Sequence, residues 1–148
     1  MKRILSALAA LSLFLIPQCL QAQQSQDFGE YVVHYNALNT NLIPPQVAQA
    51  YGIQRSPSRA LLNITVLKKV MDNPGTPVKA EIMTTATNLT GQRRQIEMRE
   101  ILEPEGAVYY IAEFPVHNME TWRFEIDVRI AGEHEPLMVK FKQQFYTE

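Results

Sequence analysis

The stretch TWRFEIDVRI, Thr121 to Ile130, decides the fold class. Trp122, Phe124, Ile126, Val128 and Ile130 take every second position, and Arg123, Glu125, Asp127 and Arg129 fill the positions between. Successive side chains of a strand point to opposite faces, so this period of two gives one dry face and one wet face. A helix would mix the two sets. The stretch therefore predicts an antiparallel sheet packed on a core through one face only.

The pattern continues in both directions. Downstream, Ala131 to Pro136 is a turn, and Leu137 to Tyr146 alternates again, so the last two strands form a hairpin. Upstream, Ala107 to Phe114 is apolar on both faces, which marks a central strand. Its neighbours Tyr109 and Tyr110 face opposite ways. One belongs to the core, and the other is available to line a ligand face. Gln92 to Glu103 reads as one strand, and Pro77 to Leu89 as another whose weak dry face suggests shallow burial. Asp72 to Gly75 is a turn signal. Leu61 to Val70 and Phe28 to Asn36 complete a set of seven strands, preceded by a polar leader at Gln23 to Gln26.

One segment breaks the alternation. Between Asn39 and Ser58, Pro45 suits the first turn of a helix and Gly52 the residue just past its end, which predicts a short helix from Pro45 to Tyr51. The whole is read as an all-β protein: an immunoglobulin-like antiparallel β-sandwich of about seven strands, with one short helix in the first long connection. The cysteine pair of antibody domains is missing. A lipocalin-like barrel needs eight strands, and outer-membrane barrels have even numbers from eight upward.

Lys2 and Arg3 precede an uncharged apolar run, Ile4 to Ile16, and Ala22 offers a small residue before a Gln-rich start. This is the pattern of a signal peptide over residues 1–22, too short for a membrane span, and it predicts export to a Gram-negative periplasm with no stable membrane insertion. Cys19 is the only cysteine, and Pro17 and Gln18 before it fit a lipid attachment site badly. Residues 23–148 would form a single domain without a disulfide, held by its core alone. Net charge is −1 for the whole chain. A chain without basic excess is a poor candidate for nucleic acid.

Residues that carry chemistry are scarce. His34, His117 and His134 lack the close spacing of a metal clip. No G-x-S-x-G elbow or glycine-rich phosphate loop occurs. Ser56 and Ser58 lie in a loop, and Glu103 and Glu105 flank Pro104 in a turn. Asn63-Ile64-Thr65 and Asn88-Leu89-Thr90 match the glycosylation pattern by coincidence, since both fall in or beside strands. No catalytic residue, metal site or cofactor is expected. The long connection is the natural place for function, and Tyr51, Arg55 and Arg59 in or beside it are the candidate binding residues, with the arginines suited to an acidic ligand.

Taken together, DFGEYVVHYNAL, AYGIQRSPSRALLNITVLKK, TATNLTGQ, REI, YYIAEFPV and TWRFEIDV resemble a family of exported Gram-negative proteins known only as a domain of unknown function. The resemblance runs from about Asp27 to the end. It implies a small periplasmic β-sandwich and no reaction, cofactor or site residue. The expected role is a non-catalytic module binding a periplasmic or envelope protein or a small ligand. The alternatives are a hydrolase-type enzyme and a structural envelope component.

Overall fold

The computed structural model describes residues 24–71 and 73–148. The expected signal peptide lies outside them. Among the described residues, ten strands form two antiparallel sheets, an all-β sandwich. In the first sheet β1 (Gln24–Asp27), β2 (Tyr31–Asn39), β3 (Arg59–Val70), β8 (Val108–Pro115) and β7 (Arg99–Leu102) lie in that order, and β4 (Asn73–Pro77) pairs with β3. The second sheet has the order β10 (Leu137–Phe145), β9 (Glu120–Arg129), β5 (Glu81–Asn88), β6 (Arg93–Ile96).

The alternation in β9 is the register of the core. Trp122, Phe124, Ile126 and Val128 are buried, and β10 and β5 flank this strand on either side. From the opposing sheet Leu62, Ile64 and Val66 of β3 and Tyr110, Ala112 and Phe114 of β8 meet them. Phe114 contacts Phe124 and Phe145 with ring centroids 5.7 and 5.8 Å apart, within the range of favourable aromatic pairs.

Four expectations need correction. Gln92 to Glu103 is two strands, not one. β6 belongs to the second sheet and β7 to the first, with Glu97 and Met98 forming the corner between them. Sandwiches turn such corners by bending a strand from one sheet into the other; no glycine or proline marks this one. The strand read as shallow is internal: β5 has partners on both sides, and its Thr84 is fully buried. The polar leader is an edge strand, because an edge needs only backbone pairing and tolerates exposed side chains. Of the turn read at Asp72 to Gly75, Asp72 lies outside the described residues, and Asn73 to Gly75 belong to β4, where Thr76 and Pro77 pair with Lys68 and Leu67. Gly75 is required there: its φ is +120°, and a Cβ would lie 2.9 Å from the Leu67 Cβ.

The TATNLTGQ segment has a structural explanation. Asn88 ends β5 almost wholly buried. Its Oδ1 accepts the N–H groups of Thr90 and Gln92 at 3.1 and 2.9 Å, and its Nδ2 donates to Gln92 Oε1 and Glu120 Oε1. One side chain thus builds the β5–β6 turn and ties it to β9.

Candidate binding site

The helix α1 spans Pro45–Tyr51, as the sequence predicts. Pro45 opens it, Gly52 closes it at φ 65°, and the Ile53 N–H returns to the Ala48 carbonyl at 2.8 Å. The connection around it is stapled from inside. Thr40, fully buried, donates its hydroxyl to the Gln54 carbonyl at 2.8 Å and accepts the Ser56 N–H at 2.9 Å. Nothing in the sequence reading singled out Thr40; a lone threonine at the end of a strand gives no signal of this role.

This connection folds over the outer face of the first sheet and forms a second, smaller core. Ile43, Ala48, Ile53, Leu61 and Ile111 are buried in it, with Leu38, Tyr51, Ile101 and Tyr109 packed against them. Here the both-faces-apolar pattern of β8 is explained: Tyr110 enters the main core, whereas Tyr109 faces the helix side. The cover is incomplete. A cavity of about 210 Å³ opens between α1 and the sheet. Val47 and Tyr51 of α1, with Ile43 and Ile53 of the connection, form its roof; Leu61 and Asn63 of β3, Tyr109 and Ile111 of β8 and Ile101 of β7 form its floor.

The rim is held by polar contacts. The Tyr51 hydroxyl donates to Glu103, and this bond, with burial adding to it, raises the Tyr51 pKa above its ordinary value. Arg99 donates to the Tyr51 carbonyl at 2.8 Å, and the Gln54 N–H donates to Glu113 at 3.1 Å. Within the floor, Asn63 Oδ1 is buried without a hydrogen-bond partner. On the same face, His34 Nδ1 is also buried and unpartnered. His34 pairs across from Thr65, and Asn63 from Asn36, so the two are diagonal neighbours.

Of the three candidate binding residues, only Tyr51 lines the cavity. Arg55 donates to the carbonyls of Ile43 and Asn41, both at 2.8 Å, and so clamps the connection. Arg59 lies 3.6 Å from Glu113 in an ion pair. Arg55 is thus occupied by the chain itself, whereas the buried Arg59 Nε has the Glu113 ion pair and no hydrogen-bond partner. Asn63 and Ile111 line the cavity but were not chosen from sequence, whereas Tyr109 is the member of the Tyr109–Tyr110 pair that the sequence left free to line a ligand face. Ser56 and Ser58 share a hydrogen bond of 3.0 Å with each other. Among the described residues no group of three His, Cys, Asp or Glu side chains comes together, and no helix is long and apolar enough to cross a membrane.

Residues 25–148 match the model of a family described as a domain of unknown function, DUF4426. The crystal structure of a DUF4426 family protein from Pseudomonas aeruginosa PAO1 is similar to this fold with a TM-score of 0.72. The two are 35% identical, over 86% of this chain and 97% of that one. No match is found among curated proteins.

Proposed function

The chain belongs to the DUF4426 family, and we propose that it is an exported, non-catalytic binding module whose small ligand enters the cavity beneath α1. The contrast between the outer faces of the two sheets carries this reading. Outside the second sheet stand Arg123, Glu125, Lys140 and Lys142, all exposed, as expected of a solvated face. Outside the first stand Leu61, Tyr109 and Ile111 under a helix that covers them without filling the space. A concave, mostly apolar site with a few polar groups is what small-ligand binding requires. At about 210 Å³ the cavity falls below the usual range for drug-sized ligands. It still exceeds the roughly 150 Å³ apolar cavity known to accept benzene.

The non-catalytic part rests on the cavity wall. Its polar groups are one carboxamide and two phenols, with no histidine or carboxylate among the lining residues to move a proton. Export rests on the sequence of residues 1–22. A C-terminally tagged chain that fractionates with spheroplasts would remove that part.

The binding test uses the domain labelled at its isoleucine methyl groups. Titration with toluene is expected to shift the methyl signals of Ile43, Ile53, Ile101 and Ile111. Those of Ile64 and Ile126, in the main core, should stay in place. An Ile111→Trp variant, which fills the cavity, should abolish the response. Absence of any shift, or shifts spread evenly over both cores, would count against the cavity as a ligand site.

A further inference from the structure

We propose that the free edge of β10 is a docking site for an extended, acidic segment of a partner protein, which adds to the second sheet as a fifth strand. The site is separate from the cavity beneath α1. β10 belongs to the other sheet, and none of its residues lines that cavity.

The backbone makes the first argument. Among the described residues β10 pairs with β9 alone, so every second N–H and C=O along it points away from β9 with no backbone partner. Proteins blunt such edges by keeping them short, bulged, interrupted by proline or covered. The other ends of the two sheets follow that rule: β1, β6 and β7 are four residues each. β10 has nine, in unbroken register with β9 and without a proline. At about 3.4 Å per residue it offers roughly 30 Å of pairing edge.

The surface beside the edge makes the second. Phe141 of β10 is only part-buried, although its ring centroid lies 4.6 Å from that of Tyr35 and 4.7 Å from that of Phe124. A groove of about 290 Å³ is lined by Gln143, Gln144 and Tyr146 together with the end of β2 and the start of the long connection. Its Leu42 and Tyr146 are 59% and 58% exposed. An added strand would turn one row of side chains toward this half-covered apolar surface.

Charge identifies the occupant. The only charged residues of β10 are Lys140 and Lys142, both exposed and on the outer face. Lys140 lies 3.7 Å from Glu125, whereas Lys142 stands opposite Arg123 and has no acidic partner among the described residues. Opposite charges on paired strands attract, and like charges directly opposite repel. The outward row of an added strand is therefore acidic. A second copy of this chain fits badly, because two antiparallel β10 strands in full overlap pair about Phe141 and set lysine against lysine. The occupant alternates apolar residues, turned inward, with acidic residues turned outward.

The test titrates the ¹⁵N-labelled protein with peptides matched in length to β10. One alternates glutamate and valine, one lysine and valine, and one is the glutamate peptide with every backbone nitrogen methylated. The glutamate peptide is expected to protect alternate β10 amides from hydrogen exchange and to leave β1, β6 and β7 unprotected. At low salt it should bind roughly tenfold more tightly than the lysine peptide, since two cross-strand charge pairs change from attraction to repulsion. The gap should shrink at high salt, and the methylated peptide should not bind. Lys140→Glu combined with Lys142→Glu should reverse the preference. Equal affinity for the two unmethylated peptides, no binding of either, binding of the methylated one, or protection centred on another edge would overturn the inference, and these comparisons need no variant to fold. Phosphatidylglycerol vesicles that shift Arg123 and Lys142 without protecting β10 amides would assign the lysines to a lipid surface and overturn it too. So would β10 protection that rises with protein concentration in the absence of peptide, which would give the edge to a second copy. None of these outcomes bears on the toluene titration of the cavity.

Discussion

Replacing Trp122 by alanine tests the central packing claim. The indole is 1% exposed, on the strand flanked by β5 and β10. Two routes give its magnitude. Large aromatic-to-alanine changes in cores cost about 3–5 kcal/mol, because lost transfer energy adds to an unrelaxed cavity. Independently, a buried aromatic removes about 150–250 Å² from water, which at about 25 cal/mol per Å² gives roughly 4–6 kcal/mol. The Arg94 guanidinium, 5.0 Å from the ring centroid, contributes about 0.5–1 kcal/mol more. A loss of about 4–5 kcal/mol is expected. Trp122→Phe supplies the control. The indole N–H is buried without a hydrogen-bond partner. Phenylalanine removes that costly donor and keeps most of the ring, so its loss should stay near about 1 kcal/mol. Urea denaturation of the domain, followed by far-UV circular dichroism, measures both. A Trp122→Ala variant within about 1 kcal/mol of wild type would refute the reasoning. So would a phenylalanine variant as unstable as the alanine one.

Asn88→Ala strands the Thr90 and Gln92 N–H groups and is expected to cost about 2–4 kcal/mol in the same assay. Burial pushes the Glu120 carboxyl up, but the His117 N–H and the Asn88 amide together hold it below the usual carboxylate range. A depressed folded-state pKa gives stability that is present above the unfolded value and lost as pH falls through the folded one. Asn88→Ala should therefore narrow the stability gap to wild type as pH drops from 6 toward 3; an unchanged gap would contradict the Asn88–Glu120 link. On the second sheet's outer face, Lys142 stands directly opposite Arg123, and neither has an acidic partner among the described residues. Lys142→Glu should stabilise the domain by about 0.2–1 kcal/mol, less at high salt, and a lower melting temperature at low salt would argue against the repulsion.

The sequence by itself determined what is local and periodic. The alternation from Trp122 to Ile130 set the inward face of β9, because strand geometry fixes the side of every second residue whatever lies opposite. Pro45 and Gly52 bounded α1, because both act through backbone conformation. Only the tertiary structure decided what depends on distant partners. The corner at Glu97 and Met98 arises because two sheets must be joined, and neither residue is locally unusual. Thr84 is buried because β9 and β6 flank its strand. Arg55 and Arg59 are engaged by Ile43 and Glu113, contacts that sequence spacing does not reveal. Asn63 reads as an ordinary polar face residue until α1 folds over it. The cavity exists only between elements brought together by the fold, so its chemistry was present in the sequence and its location was not.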